Sequence, residues 1–314
     1  MKNILAKVLI KLAQQDPDLF LLTGDLGFPY FLQFKRLFPE RFLNLGVAEQ
    51  NMIGVASGLS MRGKTVFVYS IVTFATMRCF EQIRDDVAYQ NLNVKIIGFG
   101  GGFDYGLAGV THFGWEDIAI MRSLPNMKVY TPWNLKSAQW AIENAYRLSG
   151  PAYLRLSQSR EKNIEGDNSK IMNNGIQLLD GKDVTIMVIG NIYNQALQAR
   201  KMLENQGFSV RMISFSQIKP LDEKIIKKAA QETKAIFTVE DHSLIGGFGS
   251  AVAEVLAEEK SSVVFKRIAL PDVYPKQLGI YQQMREHYGL SANLIFQKII
   301  REYKKLDTLV LKIG

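Results

Sequence analysis

One glutamate, Glu49, stands in the stretch NLGVAEQNMIG (residues 44–54), where an apolar run turns into a glycine- and alanine-rich pattern. The preceding FLNLG is typical of a buried strand end, and AEQNMIGVASGLSMRG is typical of a helix that Gly63 ends as a cap. We therefore expect Glu49 near a helix N-terminus at the carboxyl end of a strand, where open α/β sheets bind ligands. A carboxylate there either interacts favourably with the helix dipole or does acid–base chemistry, and this segment alone leaves both interpretations open.

His112 is the second side chain suited to acid–base chemistry. It follows the glycine-rich loop GFGGGFDYGLAG after a strand-like run, and WEDIAIM then begins a helical pattern. Such a loop is typical of a ligand-facing segment, although a lone histidine is more often structural or exposed. The glycines do not give the G-x-G-x-x-G spacing with a following helix and acidic residue, which disfavours a dinucleotide site.

Other polar residues have simpler interpretations. Asp85 and Asp86 are adjacent on a helical pattern and face different directions, so we expect them on a solvated surface. His242, in EDHSLIGGFGS, follows a strand-like run and precedes a glycine turn. That position fits an interface or a substrate-access point, and its role stays open.

Composition narrows the class of protein. The chain has 314 residues, of which 47% are hydrophobic, enough for about two domains with real cores. No apolar run approaches the roughly 18–20 residues of a membrane span. Lysines interrupt the first apolar run, so we expect a soluble cytoplasmic protein without a signal peptide.

The single Cys79 excludes a disulfide framework, and the three histidines show no metal-ligand spacing, so any metal must come with a cofactor. The formal charge of +8 is scattered among acidic residues, which argues against nucleic acid. A mild positive excess suits anionic small molecules or an acidic partner chain.

Short β-branched or aromatic runs alternate with helical patterns along the chain, which predicts an α/β fold with mostly parallel sheets flanked by helices. A polar stretch at residues 158–174 lacks apolar periodicity and is the best candidate for a linker between two domains. We predict two domains, at residues 1–160 and 176–314, joined by a linker at 161–175. Within 76–91, apolar residues at helical spacing predict a helix with one face on the sheet; they are Met77, Phe80, Ile83, Val87 and Ala88.

An ordered set of motifs resembles the pyrimidine-binding domain of transketolases. The motifs are LLTGDLG (21–27), NLGVAEQNMIGVASGL (44–59), VYSIVTFATMRCFEQIRDDVAYQNL (68–92), GGGFDYGLAGVTHFGWEDIAIMRSLPNM (100–127) and GPAYLRL (150–156). The later VEDHSLIGGFGSAVAEVL (239–256) is similar to the transketolase C-terminal domain. The resemblance covers nearly the whole chain and is closest to the C-terminal half of a split transketolase, in which two polypeptides replace one fused chain.

The resemblance implies roles for particular residues. Glu49 would meet N1′ of the aminopyrimidine of thiamine diphosphate and relay a proton, because a desolvated carboxyl can share a proton with a ring nitrogen. Phe74 would stack on the aminopyrimidine, and Arg78 would hold the pyrimidine side or an anionic group. Asp25 would lie near the cofactor across a dimer interface, and His112 would face the substrate and move protons. Without the resemblance, Asp25 is an ordinary turn residue, Phe74 an ordinary core residue and Arg78 an ordinary surface residue.

One family motif is missing. Thiamine diphosphate enzymes hold Mg²⁺ and the diphosphate with a GDG motif and a downstream asparagine, and this sequence contains no GDG. Because Mg²⁺ needs oxygen ligands, we expect a partner, an N-terminal transketolase subunit, to hold the metal and most of the cofactor's charge. We also expect self-association through the pyrimidine-binding domain, giving an α2β2 assembly.

Three departures concern the substrate. Ala108 replaces an aspartate, Gln158 an arginine and Gly100 a histidine that transketolases acting on sugar phosphates tend to have. These losses weaken the case for the usual pentose and hexose phosphates. Arg160 could supply a displaced phosphate contact or be a linker charge.

The resemblance implies transfer of a two-carbon ketol group between a sugar or sugar phosphate donor and an aldose acceptor. Alternatives are the β subunit of a 2-oxo acid dehydrogenase, or a pyruvate-using enzyme like deoxyxylulose phosphate synthase, which share this domain order. A catalytically silent scaffold is a third hypothesis, which the retention of Glu49 and His112 disfavours.

Overall fold

The computed structural model describes residues 1–158, 173–259 and 261–310, without the side chains of 306–310. The strands are β1 Leu19–Thr23, β2 Phe42–Asn44, β3 Thr65–Ile71, β4 Val94–Phe99, β5 Lys128–Tyr130, β6 Ala152–Leu156, β7 Gly175–Leu179, β8 Val184–Ile189, β9 Val210–Phe215, β10 Gln217–Lys219, β11 Ala235–Ser243 and β12 Val264–Leu270. The α-helices are α1 Lys2–Gln15, α2 Phe28–Leu37, α3 Glu49–Met61, α4 Val72–Ala75, α5 Phe80–Gln82, α6 Asp117–Ser123, α7 Leu135–Arg147, α8 Tyr193–Glu204, α9 Glu223–Glu232, α10 Phe248–Glu258, α11 Tyr281–His287 and α12 Ala292–Val310. No helix in these described ranges combines the length and apolarity needed to cross a bilayer.

The predicted fold class is confirmed, since the chain forms two mostly parallel sheets flanked by helices. The first sheet has the order β10-β5-β6-β4-β3-β1-β2, and only β10 runs antiparallel to its neighbour. The second sheet has the order β12-β11-β8-β9-β7, with β7 antiparallel at its edge. The strands β4 and β8 are buried along their whole length, which explains their mostly apolar sequences, in which Lys95 and Thr185 are buried polar exceptions.

The two halves of the described chain, residues 1–158 and 173–310, pack directly against each other. The short β10 belongs to the C-terminal half but pairs with β5 at the edge of the first sheet. One hydrophobic cluster also contains residues of both halves, among them Val129, Met187, Ile213 and Phe248. The halves therefore share both a sheet and a core.

The helix predicted over residues 76–91 is divided. Helix α4 ends at Ala75, a turn follows, and α5 continues into a π-helix at Ile83–Ala88. The hydroxyl of Thr76 and the thiol of Cys79 each donate to the carbonyl four residues earlier, and such side-chain bonds compete with regular helix geometry. Of the predicted apolar face, Ile83, Val87 and Ala88 are buried, whereas the other two members are only half-buried.

Candidate active site

Glu49 is the first residue of α3, directly after the loop that follows β2, as the sequence predicted. Its side chain is 1% exposed. The hydroxyl of Ser70, near the carboxyl end of β3, donates to Glu49 Oε1 over 3.1 Å, and Arg78 Nη1 lies 2.7 Å from Oε2. A β-carbon at Gly24 would lie 3.4 Å from Glu49 Cγ, so the end of β1 also packs against this side chain. The ends of two parallel strands thus enclose the carboxyl.

Arg78 covers the solvent side of the Glu49 carboxyl. Its guanidinium carbon lies 4.1 Å from the centre of the Phe74 ring, so one face of the guanidinium covers that ring. The Arg78 side chain is 40% exposed, in contrast to its buried partner. The carboxyl is therefore separated from the surface by one solvent-accessible side chain.

His112 and Phe74 are in direct contact. Their ring centres are 5.0 Å apart in an edge-to-face arrangement. The hydroxyl of Thr73 donates to the Thr111 carbonyl over 2.7 Å, and Thr111 Oγ1 lies 2.9 Å from His112 Nδ1. These bonds tie the His112 loop to α4, so the guanidinium, aromatic ring and imidazole form one continuous surface over the buried carboxyl.

Asp25 lies at the same sheet edge but on its exposed side. Its backbone has a φ of +57°, and the Asp25 and Asn44 side chains pair reciprocally, with Asn44 Oδ1 accepting from the Asp25 N–H and Asn44 Nδ2 donating to Asp25 Oδ1. The adjacent Gly24 contacts Glu49. Sequence reasoning missed Asn44 and Ser70, although each is a polar residue at the carboxyl end of a strand, which is the signal that identifies them.

The structure separates His242 from this surface. It is fully buried, its Nε2 accepts the Ala119 N–H over 3.3 Å, and its Nδ1 lies 2.9 Å from the Ser243 carbonyl. Burial lowers the pKa of His242 to about 4, so the ring is neutral at physiological pH. The nearby Glu240 accepts the N–H groups at the start of α10. Both side chains serve helix ends, which answers the question that the sequence left open.

A second charged cluster joins the two halves and was not recognised from the sequence. Arg155, on β6, donates to Asp117 over 3.0 Å and to Asp241 of the C-terminal half over 2.8 Å, and to the carbonyls of Gly114 and Asp241. The hydroxyl of Tyr153 donates to Asp117 over 2.6 Å. Burial opposes the charge of Arg155, but the two aspartates raise its pKa and keep it protonated.

The three substrate-related departures have different surroundings. A β-carbon at Gly100 would lie 2.2 Å from the Tyr105 ring, which occupies the space that a side chain would need. The backbone N–H of Gln158 donates to the Asp104 carboxylate over 2.7 Å. Ala108 lies in a short 3-10 turn before the His112 loop. Arg160 and most of the predicted linker lie outside the described residues.

Comparison with known proteins identifies the class. Residues 1–162 match the transketolase pyrimidine binding domain, and residues 174–295 match the transketolase C-terminal domain. The chain belongs to the transketolase family, as the motifs predicted. Membership of this family implies dependence on thiamine diphosphate.

Individual relatives define the type of transketolase. A putative transketolase C-terminal section of Methanocaldococcus jannaschii is 40% identical over 310 residues, covering 97% of this chain and 96% of the relative. One of the subunits of the apulose-4-phosphate transketolase of Phocaeicola vulgatus is 35% identical over 300 residues, covering 95% of both chains. A solved split-gene transketolase, an inactive β4 tetramer, superimposes with a TM-score of 0.83 at 36% identity and covers 96% of this chain and 97% of that one. The chain is thus an enzyme subunit of the split transketolase type, which implies a partner subunit and an oligomeric assembly.

Proposed function

We propose that this chain is the cytoplasmic subunit that supplies the pyrimidine-binding side of a split transketolase, which transfers a two-carbon ketol group from a sugar or sugar phosphate to an aldose. The observation that carries the proposal is the buried Glu49 carboxyl, which lies directly beneath the surface formed by Arg78, Phe74 and His112. An aromatic face and an acid–base group thus lie next to a buried carboxyl.

The residues present fit an aminopyrimidine. Phe74 is half-buried and offers a flat apolar ring, and Glu49 offers a desolvated carboxyl that can share a proton with a ring nitrogen. Arg78 now pairs with Glu49 Oε2, so it must turn outward for a ring nitrogen to take its place. Its exposed position leaves room for that movement.

When bound, thiamine diphosphate supplies the nucleophilic carbon that breaks and forms the carbon–carbon bond. In this proposal Glu49 exchanges a proton with N1′ of the pyrimidine, while Ser70 and the strand ends exclude water from the carboxyl. His112 donates hydrogen bonds to an oxygen of the sugar and moves its proton. Asp25 approaches the cofactor across the interface between subunits.

A partner subunit completes the site. The chain has no GDG motif, and its described residues contain no group of three potential metal ligands. We therefore assign Mg²⁺ and the diphosphate mainly to the partner. An exposed face of α3 supports an α2β2 assembly, because β-carbons at Gly54 or Gly58 would meet nothing within 4 Å and another backbone can approach there. We keep the predicted boundaries, with the pyrimidine-binding domain at 1–160, the linker at 161–175 and the C-terminal domain at 176–314.

Native mass spectrometry of the protein isolated from its own cells tests this proposal. A second polypeptide in fixed ratio, together with thiamine diphosphate, supports it. A homodimer that holds the cofactor unaided would refute the proposal that a partner subunit binds Mg²⁺ and the diphosphate. A homodimer without cofactor would favour the scaffold hypothesis. With the complex in hand, product analysis with a ketose against pyruvate distinguishes a transketolase from the pyruvate-using alternatives.

A further inference from the structure

The loop at residues 102–114, which carries His112, is packed on the C-terminal half of the chain. Its two ends are joined, because the Gly102 N–H donates to the Gly114 carbonyl over 2.9 Å. Gly102 has a φ of +62°, and a β-carbon there would lie 2.2 Å from Asp241 Oδ2, so the close approach of the loop to the other half requires glycine. The base of the loop is therefore set directly against the C-terminal half.

Asp104 ties the 102–114 loop to two further elements through one carboxyl group. Its Oδ2 accepts the Gln158 N–H over 2.7 Å, two residues after β6, and its Oδ1 accepts from Asn191 Nδ2 over 2.9 Å, in the turn after β8. The next residue, Tyr105, has its ring centre 5.9 Å from that of His112. Moving the carboxyl away from its two donors would therefore move the part of the loop that contacts the imidazole.

The surroundings of Asp104 act in opposite directions on its charge. The side chain is half-buried and lines a cavity of about 470 Å³ between the two halves, which is large enough for water. Burial raises the pKa of Asp104 to about 7, and the nearby Asp241 carboxylate contributes to the rise. The Gln158 N–H and the Arg155 guanidinium act in the opposite direction on this pKa. The other titratable or charged groups that interact with Asp104 or line the same cavity are Lys2, Tyr105, Tyr281, Arg285 and the amino group of Met1.

The amide of Asn191 can bond to either protonation state of this carboxyl. As oriented, Asn191 Nδ2 donates to Asp104, and Asn191 Oδ1 is buried without a hydrogen-bond partner in the described part of the chain. A half-turn of the amide exchanges the two atoms, so that Oδ1 accepts from a protonated carboxyl instead. The protonated form also avoids a second negative charge beside Asp241. Closure of the loop is therefore linked to the uptake of a proton.

We propose that Asp104 is a positioning residue, whose carboxyl holds the 102–114 loop against the C-terminal half and keeps His112 in place, more firmly when the carboxyl is protonated. The effect on catalysis rests on the proposed function, whereas the effect on the loop can be measured in this chain alone. A carboxyl whose pKa is raised in the closed loop favours closure below its ordinary value of 3.8, and this preference is lost as the pH rises to about 7.

Hydrogen–deuterium exchange of the full chain, followed by mass spectrometry, measures how firmly the loop is held. After correction for intrinsic exchange, the protection of residues 102–114 in the wild type should fall by about tenfold or more between about pH 5 and pH 7. Asp104→Asn, which is neutral and fits the same space, should keep that protection nearly constant with pH. Asp104→Ala loses both bonds, so the protection should be about tenfold lower than in the wild type at about pH 5.

The exposed Asp272→Asn is the matched control and should behave like the wild type. The same pH dependence in Asp104→Asn as in the wild type would overturn the role of the proton, and it decides this point even where Asp104→Ala does not fold. Wild-type protection in a folded Asp104→Ala would overturn the role of Asp104 in holding the loop.

Steady-state kinetics of the complex with the partner subunit test the consequence for catalysis. Asp104→Ala should lower kcat/KM by about tenfold, and Asp104→Asn should restore it close to the wild-type value. Wild-type kcat/KM in Asp104→Ala, or an equal loss in both variants, would overturn the positioning role. A wild-type complex without transketolase activity would instead refute the proposed function, and the exchange measurement would still decide whether Asp104 holds the loop.

Discussion

The Arg155 cluster and the Glu49 cluster, two of the places in the described part of the chain where an arginine pairs with a carboxylate, differ in burial. Around Arg155, the guanidinium and both aspartates are almost fully buried, and the arginine bonds to four acceptors. Around Glu49, the carboxyl is buried but its arginine partner, Arg78, is two-fifths exposed.

The difference in burial distinguishes charged side chains that only stabilise the fold from charged side chains that can react with a ligand. In the Arg155 cluster the guanidinium is enclosed by its acceptors, although Asp117 Oδ1 has no hydrogen-bond partner among the described residues, and breaking the cluster leaves uncompensated charges in a medium of low dielectric constant. A carboxyl with one replaceable partner can exchange that partner for a cofactor atom. This contrast supports the proposed catalytic role of Glu49, whereas Arg155 joins the two halves.

The largest expected effect is on turnover. Glu49→Gln removes the ionisable group but keeps the shape, so the activity of the complex with its partner should fall by about 10²–10⁴-fold, the usual contribution of acid–base catalysis. The thermal midpoint should change little. Steady-state kinetics measure the loss, and Glu40→Gln, at an exposed position, is the matched control. Full activity in Glu49→Gln would remove the catalytic assignment.

The second-largest expected effect is a loss of stability when the interface between the two halves is disrupted. Arg155→Met should lower the free energy of unfolding by about 3–5 kcal/mol, because Asp117 and Asp241 remain buried without their cation. Denaturant titration measures the change, with Arg301→Met on an exposed face as the control. A loss below about 1 kcal/mol, the range of surface pairs, would contradict the contrast between the two clusters.

Replacing the imidazole of His112 should have a smaller effect on catalysis than replacing Glu49. His112→Asn keeps a hydrogen-bonding group but removes the titratable ring, so kcat/KM should fall by about 10- to 100-fold, the equivalent of one or two strong hydrogen bonds. Stability should be nearly unchanged, since His112 is only half-buried. The exposed His287→Asn serves as the control. An equal decrease in both variants would show that the effect is not local.

The smallest effect compares the two arginines directly. Arg78→Met should lower the free energy of unfolding by about 1–2 kcal/mol, less than Arg155→Met, because only one buried carboxyl loses its cation, Ser70 still bonds to Glu49 and water can enter from the exposed side of Arg78. Chemical denaturation beside Arg155→Met gives the comparison. If both variants lost similar stability, the Glu49 cluster would be structural as well.

Sequence patterns predicted the parts of the molecule that depend on local order. The alternation of strand-like and helical runs predicted that Glu49 begins a helix after a strand. The family motifs predicted that Phe74, Arg78 and His112 act at one site, and the structure places these three side chains on the same surface. The strand β10 was missed because it has three residues and pairs with a strand far away in the sequence. Long-range partnership also concealed Arg155, whose charge within an apolar strand was the only local signal.

The cavity between the two halves, which Asp104 and Arg285 line, could not be predicted for the same physical reason. Its walls combine residues separated by most of the chain, and each of them, taken alone, has an ordinary role in a helix or loop. By contrast, Asn44 and Ser70 occupy strand ends and could have been found from the sequence pattern.

The central claim is that the Glu49 carboxyl exchanges a proton with the cofactor. The most direct test is the rate at which the thiazolium C2 hydrogen of bound thiamine diphosphate exchanges with deuterium in the complex of this chain with its partner. Glu49→Gln should slow that exchange by about 10²–10⁴-fold while the amount of bound cofactor stays the same. Exchange as fast as in the wild type, at equal occupancy, would contradict the claim.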